Sequence, residues 1–228
     1  MKMKFGAIVV DGRGKIGGHV ASKNRGGAYL RTKVTPSNPN TGAQSLVRSR
    51  ITLLSKAFGN LGASLISAWN GAVQDWGKTD IFGDIKNPSG LNLFVKLNAN
   101  LMEIGQSVIN TPPQKGSVGS LTINTAGATS SPQAISVDFL ESTFPANTSV
   151  VVRASAPTSA GVSNFSGKLA NLVVKTAYDT GQELDFTTEY TNKYGALQAG
   201  TKIAVEFVPV DQTTGQKGAV VSTSFVVS

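Results

Sequence analysis

The sequence predicts an α+β protein in which an N-terminal basic β arm and a small three-helix domain precede a C-terminal all-β sandwich. Three observations lead there. Residues 1–56 hold eleven Lys and Arg against one acid, Asp11; apolar residues recur every three or four positions from about residue 41 to 104; and the period falls to two after Pro112-Pro113. Residues 1–56 therefore carry +10, residues 57–110 and 111–228 carry −1 each, and the 228-residue chain carries +8. A basic, Gly-rich head on a near-neutral body points to an anionic partner for the head, either nucleic acid or the acidic surface of a protein.

In the arm, residues 1–40, Ala7 to Val10, Val20 to Lys23 and Ala28 to Thr32 read as short strands. Asn24-Arg25-Gly26-Gly27 supplies the residues that a tight hairpin turn demands. Seven glycines in the first 27 residues and few large apolar side chains leave the arm without a core, so it needs a surface to fold against. Thr35 to Thr41, with Pro36 and Pro39, is an extended connector.

The helical domain spans residues 41–110. A first helix over 41–58 aligns Leu46, Val47, Ile51, Leu54, Ala57 and Phe58 on one face and stops at Gly59-Asn60-Leu61-Gly62. A second, over 64–76, carries Leu65, Trp69, Val73 and Trp76. A third follows the cap-like Ser89 with Leu93, Leu97, Leu101 and Ile104, and ends at Gly105. The three stripes are expected to bury one another.

Thr111 to Ser117 is the expected linker, and residues 118–228 the sandwich. Seven strands are predicted there: Leu121–Asn124, Ala134–Leu140, Ser149–Ala154, Leu169–Thr176, Leu184–Thr187, Thr201–Val210 and Ala219–Val227. Seven short strands in such a length fit an immunoglobulin-like sandwich, though not a true immunoglobulin domain, since the chain has no cysteine. Leu197 to Phe207 resembles the corner and strand of fibronectin type III domains, with Ile203 in place of their tyrosine.

Composition narrows the function classes. The absence of Cys removes disulfides, thiolate metal sites and cysteine nucleophiles, and the single histidine, His19, cannot form a metal-binding pair. Gly12-Arg13-Gly14-Lys15-Ile16-Gly17 matches a dinucleotide pattern but lacks both the following helix and an acid about 20 residues on. Asp75, Asp80 and Asp84 do not have calcium-loop spacing and read as loop and cap carboxylates; Asp179, Glu183, Asp185 and Glu189 read as a solvated rim. No catalytic, cofactor-binding or metal-binding residue is assigned, and no enzyme activity is expected. Met1 to Val10 is too short an apolar run for a signal peptide, and no stretch approaches the ~20 apolar residues of a membrane span. Charged residues make up 15% of the chain against about 25% in an ordinary domain, a surface suited to a multi-copy assembly.

The candidate partner-binding residues are Arg13, Lys15, Lys23, Arg25, Tyr29, Arg31, Lys33 and Arg48. One tyrosine among these cations is a poor stacking platform for single-stranded nucleic acid. An arm that inserts against neighbouring protein subunits is the favoured reading, and genome contact is the alternative.

The string Gly17 to Arg31, containing Asn24-Arg25-Gly26-Gly27-Ala28-Tyr29, resembles the N-terminal region of a family of tailed-bacteriophage and prophage virion proteins. Pro36, Asn38-Pro39-Asn40-Thr41, Gln44 with Arg48, Trp69-Asn70, and Asn87-Pro88-Ser89-Gly90 before Leu91-Asn92-Leu93-Phe94 extend the resemblance over about residues 5–100. The resemblance implies a virion structural role, similar to the auxiliary capsid proteins of crAss-like phages. It implies localisation to the capsid and partnership with the major capsid protein or other virion proteins, in a homo-oligomer or multi-copy assembly, while the composition gives the expectation of no membrane and no cofactor. The expected arrangement has the basic region anchored on the shell and the sandwich directed outward.

Overall fold

The computed structural model describes residues 1–4, 6, 12–24, 26–179 and 181–228. Two expectations, the strand at Ala7 to Val10 and the place of Arg25, lie outside the described residues. The chain is mixed α+β, with antiparallel strands in several sheets and four α-helices among the described residues. It forms two compact units, residues 1–49 with 77–87, and residues 50–76 with 88–228.

The first unit contains β1 (Lys2–Met3), β2 (Gly14–Ile16), β3 (His19–Asn24) and β4 (Gly27–Thr32) in one sheet of order β1-β4-β3-β2. β5 (Lys78–Thr79) and β6 (Ile85–Lys86) form a separate hairpin. The β3–β4 hairpin is the predicted one. Asn24 pairs with Gly27, the Asn24 Oδ1 accepts from the Gly26 N–H at 2.9 Å, and Gly27 takes φ +105°, open only to glycine at little cost. The glycine pattern at 12–17 therefore sits on strand and turn: β2 ends at Ile16, and Gly17 (φ +55°) turns the chain into β3.

Helix α1 (Gly42–Gly59) begins where expected. Thr41 Oγ1 accepts from the Gln44 N–H at 3.3 Å, satisfying a free amide of the first turn. Its apolar stripe departs from the expectation: Leu54 is fully buried and Ala57 and Phe58 pack beside it, while Leu46, Val47 and Ile51 are exposed.

In the second unit, α2 (Ala63–Ala72) continues into a 3-10 turn over Val73–Trp76, and α3 (Gly90–Glu103) is capped by Ser89, whose Oγ accepts from the Asn92 N–H at 3.2 Å. Trp69 meets Phe94 edge to face at 5.2 Å. α2 and α3 come close because Gly90 has no side chain, since a Cβ there would collide with Asn70. Buried Asn98 then holds the chain beyond α3, donating to Ile109 O at 3.2 Å and accepting from Ile109 N–H at 2.7 Å.

The remaining strands are β7 (Ile123–Ser130), β8 (Gln133–Phe139), β9 (Thr148–Ser155), β10 (Thr158–Ser159), β11 (Leu169–Lys175), β12 (Glu183–Asp185), β13 (Thr201–Asp211) and β14 (Val221–Val226). One sheet has the order β12-β8-β7; the other runs β10-β13-β9-β11, with β14 also paired to β13. Ile135, Val137 and Phe139 of the first sheet and Val150, Val152, Val205 and Phe207 of the second share a single core. β9 does not alternate because both of its faces are covered: Val150 and Val152 join that core, while Val151 joins a second one with Leu101 of α3, Ile104 just beyond that helix, and Val208 and Val210 of β13. Past β14, the Ser228 N–H donates to Ala128 O at 3.0 Å and Ser228 O accepts from the Ser130 N–H at 2.9 Å.

Two element expectations are corrected. The first strand lies at Ile123–Ser130 rather than 121–124, and the strand at 184 stops at Asp185 because helix α4 (Thr187–Tyr194) starts there. Asp185 Oδ1 accepts from both the N–H and the hydroxyl of Thr187, at 2.8 and 2.6 Å, and turns the chain into the helix.

Candidate partner-binding face

Strand pairing decides which of the basic residues share a surface. Residues opposite one another in an antiparallel ladder point the same way, as do residues two apart on one strand. Lys15 pairs with Val20, and Val20 with Arg31; Lys2 pairs with Tyr29, and Tyr29 with Ser22. One face therefore carries Lys2, Lys15, Val20, Ser22, Tyr29 and Arg31. The opposite face carries Ile16, Ala21, Ala28 and Leu30, and Lys23, paired with Ala28, goes with it.

The sheet thus unites three of the eight candidates, Lys15, Tyr29 and Arg31. Lys33 follows at the end of the row, where its N–H donates to Gly18 O at 2.8 Å. Arg13 is exposed just before β2. Arg48 stands apart on α1, donating to Asn38 Oδ1 at 2.7 Å and Asn40 Oδ1 at 3.2 Å. It ties the Asn-Pro-Asn-Thr connector to the helix, with Asn40 in the left-handed region at φ +51°. Lys2 was missed by sequence reading; its signal is the pairing register with Tyr29, which no composition rule supplies.

Charge balance separates two regions of this unit. Lys2 pairs with Asp80 at 3.5 Å, and Lys4 and Lys86 pair with Asp84 at 3.1 and 3.7 Å. Asp80 is held below the usual carboxylate range, chiefly by the Phe82 N–H, with the Asp84 N–H and Lys2 adding to it against desolvation. Asp80 and Asp84 thus serve their own hairpin and the lysines Lys2 and Lys4, and among the described residues no group of three His, Asp or Glu is placed to hold a metal. Lys15, Arg31 and Lys33 are exposed and form no ion pair among the described residues. With strands about 4.8 Å apart, Lys15 and Arg31 are fixed roughly 10 Å from each other across Val20, with half-buried Tyr29 beside Arg31. The face thus holds exposed cations at a spacing set by the strand ladder.

No protein-family model, curated protein or solved structure matches the chain.

Proposed function

We propose that the chain is a non-enzymatic structural protein of a bacteriophage virion, an auxiliary or decoration protein of the capsid present in many copies. In this reading the N-terminal basic β arm anchors it on an acidic shell, with the helices as a small domain, and residues 118–228 form an immunoglobulin-like sandwich. The observation that carries the reading is the exposed sheet face with Lys15, Tyr29 and Arg31, extended by Lys33, whose charges find no carboxylate among the described residues. Such a surplus of unpaired cations favours an acidic partner. The motif resemblance over residues 5–100 supports a virion setting. Contact with the packaged genome is the second reading, favoured by the same cations.

The two are separated by rebinding purified protein to genome-free and genome-filled shells stripped of this chain. A shell anchor binds both equally. Substituting Arg31 and Lys33 together by Ala is expected to weaken binding about tenfold at low salt and to reduce its salt dependence. Unchanged binding would remove this face from the anchor. Preference for filled shells, with retardation of DNA that collapses as salt rises, would bring the genome reading forward.

A further inference from the structure

Helix α1 carries an apolar face that is covered at one end only. Leu46 (54% exposed), Val47 (53%), Ile51 (48%) and Leu53 (53%) stand open on its N-terminal part, while Leu54, Ala57 and Phe58 of the same broad face enter the helical core. At 100° per residue these side chains fill an arc of about 160°, and Arg50 projects from within it, between the Leu46–Leu53 row and the Val47–Ile51 row. Arg50 forms no ion pair among the described residues, and the sequence has no acid between Asp11 and Asp75. Arg48 and Lys56 lie on the remaining side of the helix.

We propose that this part of α1 is a docking helix, seated in an apolar groove of a partner protein that presents a carboxylate to Arg50. The occupant follows from charge. A second copy of α1 would bring Arg50 against a helix that contains no acid to pair with it, and a phosphate backbone would leave four large apolar side chains in water. An acid-bearing apolar groove satisfies both parts of the face, the apolar side chains by burial and Arg50 by a paired, hydrogen-bonded charge. This inference rests on the virion reading for the partner's identity, a shell protein. It assigns a contact separate from the basic sheet face.

The test compares the full chain with two variants, Val47→Asp/Ile51→Asp and the conservative Val47→Ile/Ile51→Leu, in rebinding to stripped particles. Circular dichroism and a thermal melt verify that each variant folds, as expected for exposed positions. The acidic pair is expected to bind at least about tenfold more weakly while the conservative pair binds as the parent does. Arg50→Ala is expected to weaken binding further as salt is lowered, relative to the parent. If the parent binds and the acidic variant binds equally well, the docking helix is refuted and the virion reading stands. If the parent itself fails to bind particles, both are refuted. A concentration-dependent dimer of the parent in sedimentation, lost in the acidic variant, would overturn the proposal in favour of a second copy.

Discussion

Gly215 shows how one missing side chain can hold two elements together. It sits at φ +70° in the turn between β13 and β14, where its carbonyl accepts from Asn100 Nδ2 at 2.8 Å, and a Cβ there would run into the Leu97 carbonyl and come within 3.0 Å of Leu101. Asp211 shapes the turn, its Oδ1 accepting from the amides of Thr213 and Thr214 at 2.8 and 2.7 Å. Gly215→Ala is expected to cost about 1–3 kcal/mol, read as a lowered thermal midpoint. Gly200→Ala is the control: φ is +77° but nothing lies within 4 Å, so only backbone strain of about 1 kcal/mol is expected. Neither role was legible in the sequence, where both glycines are turn punctuation. By contrast Ser89, Gly26 and Gly27 were legible, because capping and hairpin turns are local and the residue type alone carries the reason.

The contact between α3 and the sheet has a polar lock at its C-terminal end. Glu103 accepts from Asn171 Nδ2 at 2.5 Å and pairs with Lys217 at 3.0 Å and Arg153 at 3.6 Å, joining α3 to β9, β11 and the turn before β14. Partial burial pushes its carboxyl upward, but the bonds and charges of Lys217, Asn171 and Arg153 outweigh it and hold the group below its ordinary value of 4.5. A carboxyl lowered in the folded state contributes its full stability above the unfolded value and loses it as the pH falls through the folded one. Denaturant midpoints of the parent should therefore drop on acidification below about pH 4.5 more steeply than those of Glu103→Gln. The elements themselves were largely legible: α1, α3, β8, β9, β11 and β13 lie within a residue or two of their predicted bounds. Helix α4 was not, since Thr187, Thr188 and Thr191 favour strands by propensity; its helical sign is the Tyr190–Tyr194 spacing, with Tyr190 buried and its hydroxyl donating to Ser155 O at 3.1 Å. The basic face was half legible. Its residues could be listed from composition, but Lys23 and Arg48 were grouped with them because only pairing register separates faces.

Across the chain, helices and sheets of residues 50–76 and 88–228 share one compact unit, and α3 covers Val151, Val208 and Val210. A fragment beginning at residue 118 leaves those three side chains in water. It is expected to unfold at lower denaturant than the full chain and to bind a hydrophobic dye, whereas equal stability would mean that the sheets need no helical cover. The pairing of Ser228 with Ala128 and Ser130 has a mechanical consequence. One residue bonding to two positions that flank its neighbour is the pattern of parallel strands, so β7 and the segment after β14 run in the same direction. Tension applied between the start of β7 and Ser228 then pulls these strands past each other. Both bonds are loaded at once, in shear, and cannot open one after the other like a zip. Resistance to pulling is a matter of unfolding rate and not of equilibrium stability, so this unit would withstand brief tugs along that axis better than its melting temperature suggests.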